Sequence, residues 1–281
     1  VSFARRQPTA FFVIAAFVIT YLLGPLAFFG LRALQRLLGT SVHGVNDLVM
    51  KFGPSLAGLL AVVVVSGATG LRALLQRLLR WRFSPWLYLF AVLVPPALLG
   101  CVLVARGQQA ELTAVTLPGA LGVFFVQLLL STLLGGGLGE EVGWRGVLQP
   151  QLSKTRSPLV ASLLVAVAWL AWHVPAYVFL GKGEEDPFWP FALVVFPFSV
   201  VLTWITQRSG GSLLAPVLLH GSINAAFYSM IELSPVTTAR ADFQPGFDWL
   251  TAGAWCLVAI AVVASSGSSL GKKEDETWQR P

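Results

Sequence analysis

The feature that most restricts this chain is the recurrence, from end to end, of apolar runs long enough for an α-helix to cross ~30 Å of hydrocarbon. Eight can be placed, at 10–31, 52–70, 86–105, 118–139, 158–180, 188–206, 211–231 and 248–265. A backbone in lipid must satisfy its own hydrogen bonds, so such runs dictate helices. The expected fold is all-α, a polytopic transmembrane helical bundle of about eight spans. Only 11% of the residues are charged, against roughly 25% in soluble domains, which excludes an ordinary soluble enzyme. Residues 1–281 read as one membrane domain with a polar tail over 270–281, and no repeat or separate soluble domain is evident.

Topology accounts for the net charge of +6. With a cytoplasmic N-terminus and eight alternating spans, thirteen Lys and Arg fall inside: Arg5, Arg6, Arg72, Arg77, Arg80, Arg82, Arg145, Lys154, Arg156, Arg208, Lys272, Lys273 and Arg280. Six fall outside: Arg32, Arg36, Lys51, Arg106, Lys182 and Arg240. This bias follows the positive-inside rule and predicts that both termini are cytoplasmic. The first span, preceded by Arg5 and Arg6, reads as a retained signal anchor. The basic residues are scattered among short loops, so no nucleic-acid partner is expected. The lipid bilayer is the expected partner. Arg72, Arg77, Arg80 and Arg82, interleaved with Leu and Trp81, read as an amphipathic stretch on the anionic inner leaflet. Pro95 and Pro96 are expected to bend the third span, and the acidic turn Glu184-Glu185-Asp186 to be a solvated loop. Cys101 and Cys256 lie in apolar runs with no Cys or His at metal-ligand spacing, so neither a disulfide framework nor a thiolate zinc site is indicated.

Ionisable groups within spans are costly, and by default they mark a site. Three sets occur: Glu140-Glu141-Val142-Gly143-Trp144-Arg145 at the inner end of the fourth span, His173 in the fifth, and His220 with Asn224 in the seventh. His43 falls in a loop and is set aside. Glu140 and His173 are each 16 residues from the turn at Arg156-Ser157, so an antiparallel hairpin sets them level if the fourth helix first projects into the cytosol. At ~1.5 Å per residue His220 reaches a similar depth, in the inner half of the bilayer. Glu141 and Arg145, four residues apart, share a helical face and can pair. They are assigned to structural support, and Glu140, turned by ~100°, is left to face the histidines. His220 and Asn224, also four apart, share a wall. The glycines at 135, 136, 137, 139, 143 and 146 permit close helix packing and equally leave volume for water and a peptide.

A carboxylate in a low-dielectric pocket beside a histidine can take a proton from water near neutral pH, which makes Glu140 a candidate general base. A second histidine and an amide can stabilise the oxyanion of peptide hydrolysis. Glu140, His173 and His220 are equally a ligand set for a catalytic zinc. A metal-free and a zinc-dependent hydrolysis therefore both stand, as do a structural polar network and a cation or proton site. A coupled transporter should show an inverted repeat, but the polar residues lie in the second half only.

These residues resemble the CPBP family of intramembrane proteases, which includes the CAAX prenyl endopeptidases and bacterial Abi-type proteins. The family pattern is Glu-Glu-x-x-x-Arg, then Phe-x-x-x-His, then His-x-x-x-Asn. Here it is Glu140-Glu141-x-x-x-Arg145, Trp169-x-x-x-His173 and His220-x-x-x-Asn224, with similar flanks at Trp144-Arg145-Gly146-Val147-Leu148 and Gly211-Ser212-Leu213-Leu214-Ala215-Pro216. The resemblance covers about 118–231. It implies a catalytic core in which Glu140 and His173 activate water while His220 and Asn224 stabilise the oxyanion, with no cofactor or with zinc. Trp169 replaces the family's phenylalanine, a change expected to alter pocket shape alone. The implied substrate is a peptide or prenylated protein, approached from the cytosolic side of what we expect to be a bacterial plasma membrane. A non-proteolytic scaffold or a bacteriocin self-immunity protein is the alternative.

Overall fold

Segments this apolar bury backbone polarity within themselves, and the described elements are helical. The computed structural model describes residues 2–26, 45–107, 116–180, 187–233 and 248–272. Helix α1 is Pro8–Leu26, α2 Val45–Leu78, α3 Pro85–Ala105, α4 Leu117–Leu133, α5 the segment 136–152, α6 Pro158–Phe179, α7 Phe188–Arg208, α8 Leu214–Leu233 and α9 Trp249–Ser266. Seven stretches among the described residues are long and apolar enough to cross a membrane, α4 and α5 counting together. Helix α8 takes the place of the expected seventh span. It tolerates His220, Ser222 and Asn224 because it packs against α3, α4 and α5 inside the bundle. The chain is an integral multi-pass membrane protein. His43, the acidic turn at 184–186 and the tail beyond Lys272 lie outside the described residues.

The expected fourth span is broken. Gly135 is extended (φ −113°, ψ −156°), so α4 ends and α5 starts afresh. Helix α5 is enclosed by the bundle: Glu141, Arg145, Trp144 and Leu148 have almost no exposure. Its glycines admit the backbone of α2. A Cβ on Gly139 would stand 2.5 Å from the Lys51 carbonyl oxygen, and one on Gly143 would strike the Pro54 carbonyl, the close approach that small residues allow between membrane helices. Two π-helical turns, Ile19–Leu23 and Trp144–Leu148, widen α1 and α5 beside the polar residues, a frequent placement for such turns. Helix α3 continues through Pro95 and Pro96.

Helix α2 turns sharply at Gly67 (φ 62°, ψ −151°), a conformation open to glycine. A Cβ on Gly70 would lie 3.0 Å from Val62 Cγ1, whereas eight residues of straight helix cover ~12 Å. The returning segment corrects the expectation of a surface amphipathic stretch. Arg77 is 7% exposed and donates to the carbonyls of Gly211, Gly146 and Arg145 at 2.9, 3.0 and 3.1 Å. Arg80 donates to Gly210 O, and its own carbonyl accepts from Ser212 Oγ at 2.6 Å. Arg77 leaves the lipid surface because the carbonyls of α5 and of the α7–α8 turn need donors that the helices do not supply. Arg72, Arg80 and Arg82 remain exposed, and Arg82 lies over the Trp81 ring.

Candidate active site

Helix α5 delivers its two carboxylates to different partners. Glu141, fully buried, lies 3.2 Å from the Arg145 guanidinium one turn on, as the i,i+4 spacing predicts. Arg145 also donates to Ser199 Oγ of α7 at 2.8 Å and sits over the Trp169 ring, 5.2 Å from its centroid. The spacing did not show that Glu141 also holds His220: Nδ1 is 2.6 Å from Glu141 Oε1. Glu141 thus joins Arg145 of α5 to His220 of α8. An Nδ1–H donated to this carboxylate fixes the imidazole plane, as an acidic partner orients the histidine of a hydrolytic triad. The rings of Trp169 and Phe198 hold it from the sides, at centroid distances of 5.4 and 5.7 Å.

Glu140, turned from this pair as expected, borders a cavity of about 420 Å³ that is also lined by Gly136, His173, His220, Asn224 and Trp169. All three polar sets therefore meet in one chamber. His173 Nδ1 is 2.9 Å from the Trp169 carbonyl, and its ring packs against Trp172 and Phe191. From α1, Tyr21 donates to the Trp172 carbonyl and Thr20 Oγ1 accepts the Trp172 indole N–H at 3.0 Å. The first span thereby braces the helix that carries His173.

Two features escaped the sequence reading. Trp169 is more than an aromatic replacement: its Nε1–H donates to Glu140 Oε2 at 2.5 Å. Trp144 Nε1 reaches the same oxygen at 3.4 Å. Trp144 follows Glu140 by four residues, a spacing that could have shown its contact; the Trp169 contact crosses helices and left no local trace. The second feature is the gap over Gly136. The place its Cβ would take is 2.5 Å from His220 Nε2 and 2.9 Å from Glu140 Oε1. The bare glycine thus lets Glu140 Oε1 and His220 Nε2 face one volume while Oε2 is tied back by indole donors. Of the two readings of the glycine run, Gly139 and Gly143 show close packing and Gly136 shows space for a reacting group.

A neutral donor to a carboxylate contributes about 1.5–3 kcal/mol, and phenylalanine keeps the ring without the N–H. Trp169→Phe is expected to lower the kcat of any reaction using Glu140 by roughly 10-fold or more, with KM within about twofold. Steady-state kinetics check this; an unchanged kcat would reduce Trp169 to packing.

The ligand set Glu140, His173 and His220 does not close on one point. Among the described residues no three His, Cys, Asp or Glu side chains converge as a metal site. Glu140 Oε2 is taken by N–H donors and His220 Nδ1 by Glu141, which leaves Oε1 and Nε2 as the facing pair.

The polar sets that meet in the cavity lie within residues 122–226, the stretch that matches the family of Type II CAAX prenyl endopeptidase Rce1-like proteins. A curated relative, CAAX prenyl protease 2 of Methanococcus maripaludis, is 28% identical over 137 residues, covering 46% of this chain. The chain spans about half the length of that relative, 49%. The matched stretch starts within α4 and ends within α8. Thr20, Tyr21 and Arg77, which brace it, come from outside the matched stretch.

Proposed function

We propose that this protein is an intramembrane endopeptidase that hydrolyses a peptide bond in a membrane-anchored substrate. The observation that carries the reading is the pairing of Glu140 Oε1 and His220 Nε2 across Gly136. A scissile carbonyl set over Gly136 has its carbon on the Glu140 side and its oxygen on the His220 side. Glu140, with His173 as second partner, takes a proton from water as the hydroxide forms its bond to the carbonyl carbon. The oxyanion is met by His220 Nε2–H, with Glu141 balancing the charge of a doubly protonated ring, and by the Asn224 amide one turn along the same wall. Collapse breaks the C–N bond, and the proton held by Glu140 passes to the leaving amine. Water and peptide are consumed, and acid and amine are released, with Glu140 restored.

The family and the name of the curated relative make a prenylated CAAX peptide the substrate to try first. Purified protein in liposomes is to be given a fluorogenic farnesylated CAAX peptide and its unprenylated counterpart, with products identified by mass. Release of the terminal tripeptide from the farnesylated form supports the reading, and cleavage of both forms assigns a broader membrane-peptide specificity. Failure to cut either, with a cooperative melt showing folded protein, argues for a non-proteolytic scaffold built on the same polar network.

A further inference from the structure

A proline inside a helix has no N–H for the residue four before it, and its ring pushes that carbonyl outward. Helix α3 runs through Pro96, so the Val92 carbonyl has lost its helical donor. Inside a membrane such a group must find another. The donor is Ser222 Oγ of α8, at 2.9 Å. A buried hydroxyl on a helix can turn back onto its own backbone, as Ser162, Thr206 and Ser266 do here onto Leu159, Leu202 and Val262. Ser222, with no exposure, crosses to α3 instead. The same device recurs at Pro150, which frees the Gly146 carbonyl for Arg77 at 3.0 Å.

The place of Ser222 in α8 gives that bond its use. It follows His220 by two residues and precedes Asn224 by two, which sets it ~200° around the helix from each. It therefore stands on the back of α8, while His220 and Asn224 line the cavity in front. At the front, His220 is held by Glu141 at 2.6 Å. That contact runs through a rotatable side chain, so alone it leaves α8 free to turn about its axis. A short bond from the back of the helix to a carbonyl of α3 removes that freedom. Beside it, Gly221 brings α4 close: a Cβ there would lie 2.1 Å from Thr132 Oγ1. We infer that Ser222 is a positioning residue, which through the carbonyl freed by Pro96 fixes the rotation of α8 and so aims His220 and Asn224 at the volume over Gly136. The inference rests on the peptidase reading only for its effect on cleavage; the clasp stands on geometry.

The test is a double-mutant cycle in the full chain, reconstituted in liposomes, with Ser222→Ala, Pro96→Ala and the two combined. Ser222→Ala is expected to lower kcat on the farnesylated CAAX peptide by about tenfold, with KM within about twofold. In the Pro96→Ala background the restored N–H serves Val92, so adding Ser222→Ala should cost less than about twofold. An equal loss in both backgrounds overturns the inference, as does a lowered melting temperature with kcat unchanged. A second readout needs no catalysis. The chain has three histidines, so ring-nitrogen NMR of histidine-labelled protein can follow His220, assigned with His220→Gln. Its signals should shift in Ser222→Ala and not differ between Pro96→Ala and the double variant, while those of His173 stay in place. Unmoved His220 signals in Ser222→Ala overturn the inference. Should Ser222→Ala fail to accumulate, Ser222→Cys, of similar size and a weak donor, takes its place under the same criteria. A parent that cleaves no peptide while the His220 signals follow the cycle would sink the peptidase reading and leave the positioning intact.

Discussion

Glu140→Gln leaves a folded protein whose peptide cleavage is at least about 10³-fold slower than that of the parent. The amide keeps the volume of the carboxylate and an oxygen to accept the Trp169 and Trp144 indoles, so the chamber keeps its shape. It cannot take the proton of the attacking water, so the step that needs a base is lost while binding remains. The melting temperature should stay within a few degrees, as expected for a change of less than about 1 kcal/mol. Single-turnover cleavage and thermal melts on the same preparations are decisive. A variant that cuts at the parent rate removes Glu140 from the reaction. A variant that cuts slowly because it no longer melts cooperatively assigns Glu140 to structure instead.

Arg145→Ala has the opposite signature, a large loss of stability of about 3–5 kcal/mol. Arg145 and Glu141 have no exposure, and the guanidinium supplies charge-assisted contacts to Glu141 and Ser199. Truncation leaves the buried Glu141 carboxylate with only its His220 contact to offset its charge and opens a cavity under Trp169. Against a total stability of about 5–15 kcal/mol, the variant should melt far below the parent or fail to accumulate. Arg145→Lys, which keeps the charge and loses the planar fork, should fall between the two. Detergent melts of the three proteins check the order. Parent-like melting of Arg145→Ala would show that the triad contributes little to the fold.

The contrast between these variants follows what the sequence can and cannot display. Hydropathy is local, so the spans and the positions of the ionisable residues along them were legible. The Glu141–Arg145 pair was legible too, because helical spacing alone brings the two together. Contacts between helices depend on rotation and register, which no local pattern records. Nothing in 214–233 says that His220 turns to Glu141 rather than Glu140, and nothing near Trp169 announces an N–H aimed at another helix. Arg77 misled for a different reason. Alternating Arg and Leu is the signature of a helix lying on a membrane, and only the sharp turn at Gly67 brings one of those arginines inward. The break at Gly135 was hidden in a glycine run that reads equally well as a packing surface.

Arg77 also bears on whether the core can be taken out of its surroundings. A single side chain from the first half of the chain holds carbonyls on α5 and on the turn leading to α8, the two elements that carry Glu141 and His220. The family-matched segment thus holds the candidate site without its fastening. Grafting 122–226 onto another scaffold would transplant Glu140, Glu141 and His220 and leave behind the cation that keeps their two helices in register.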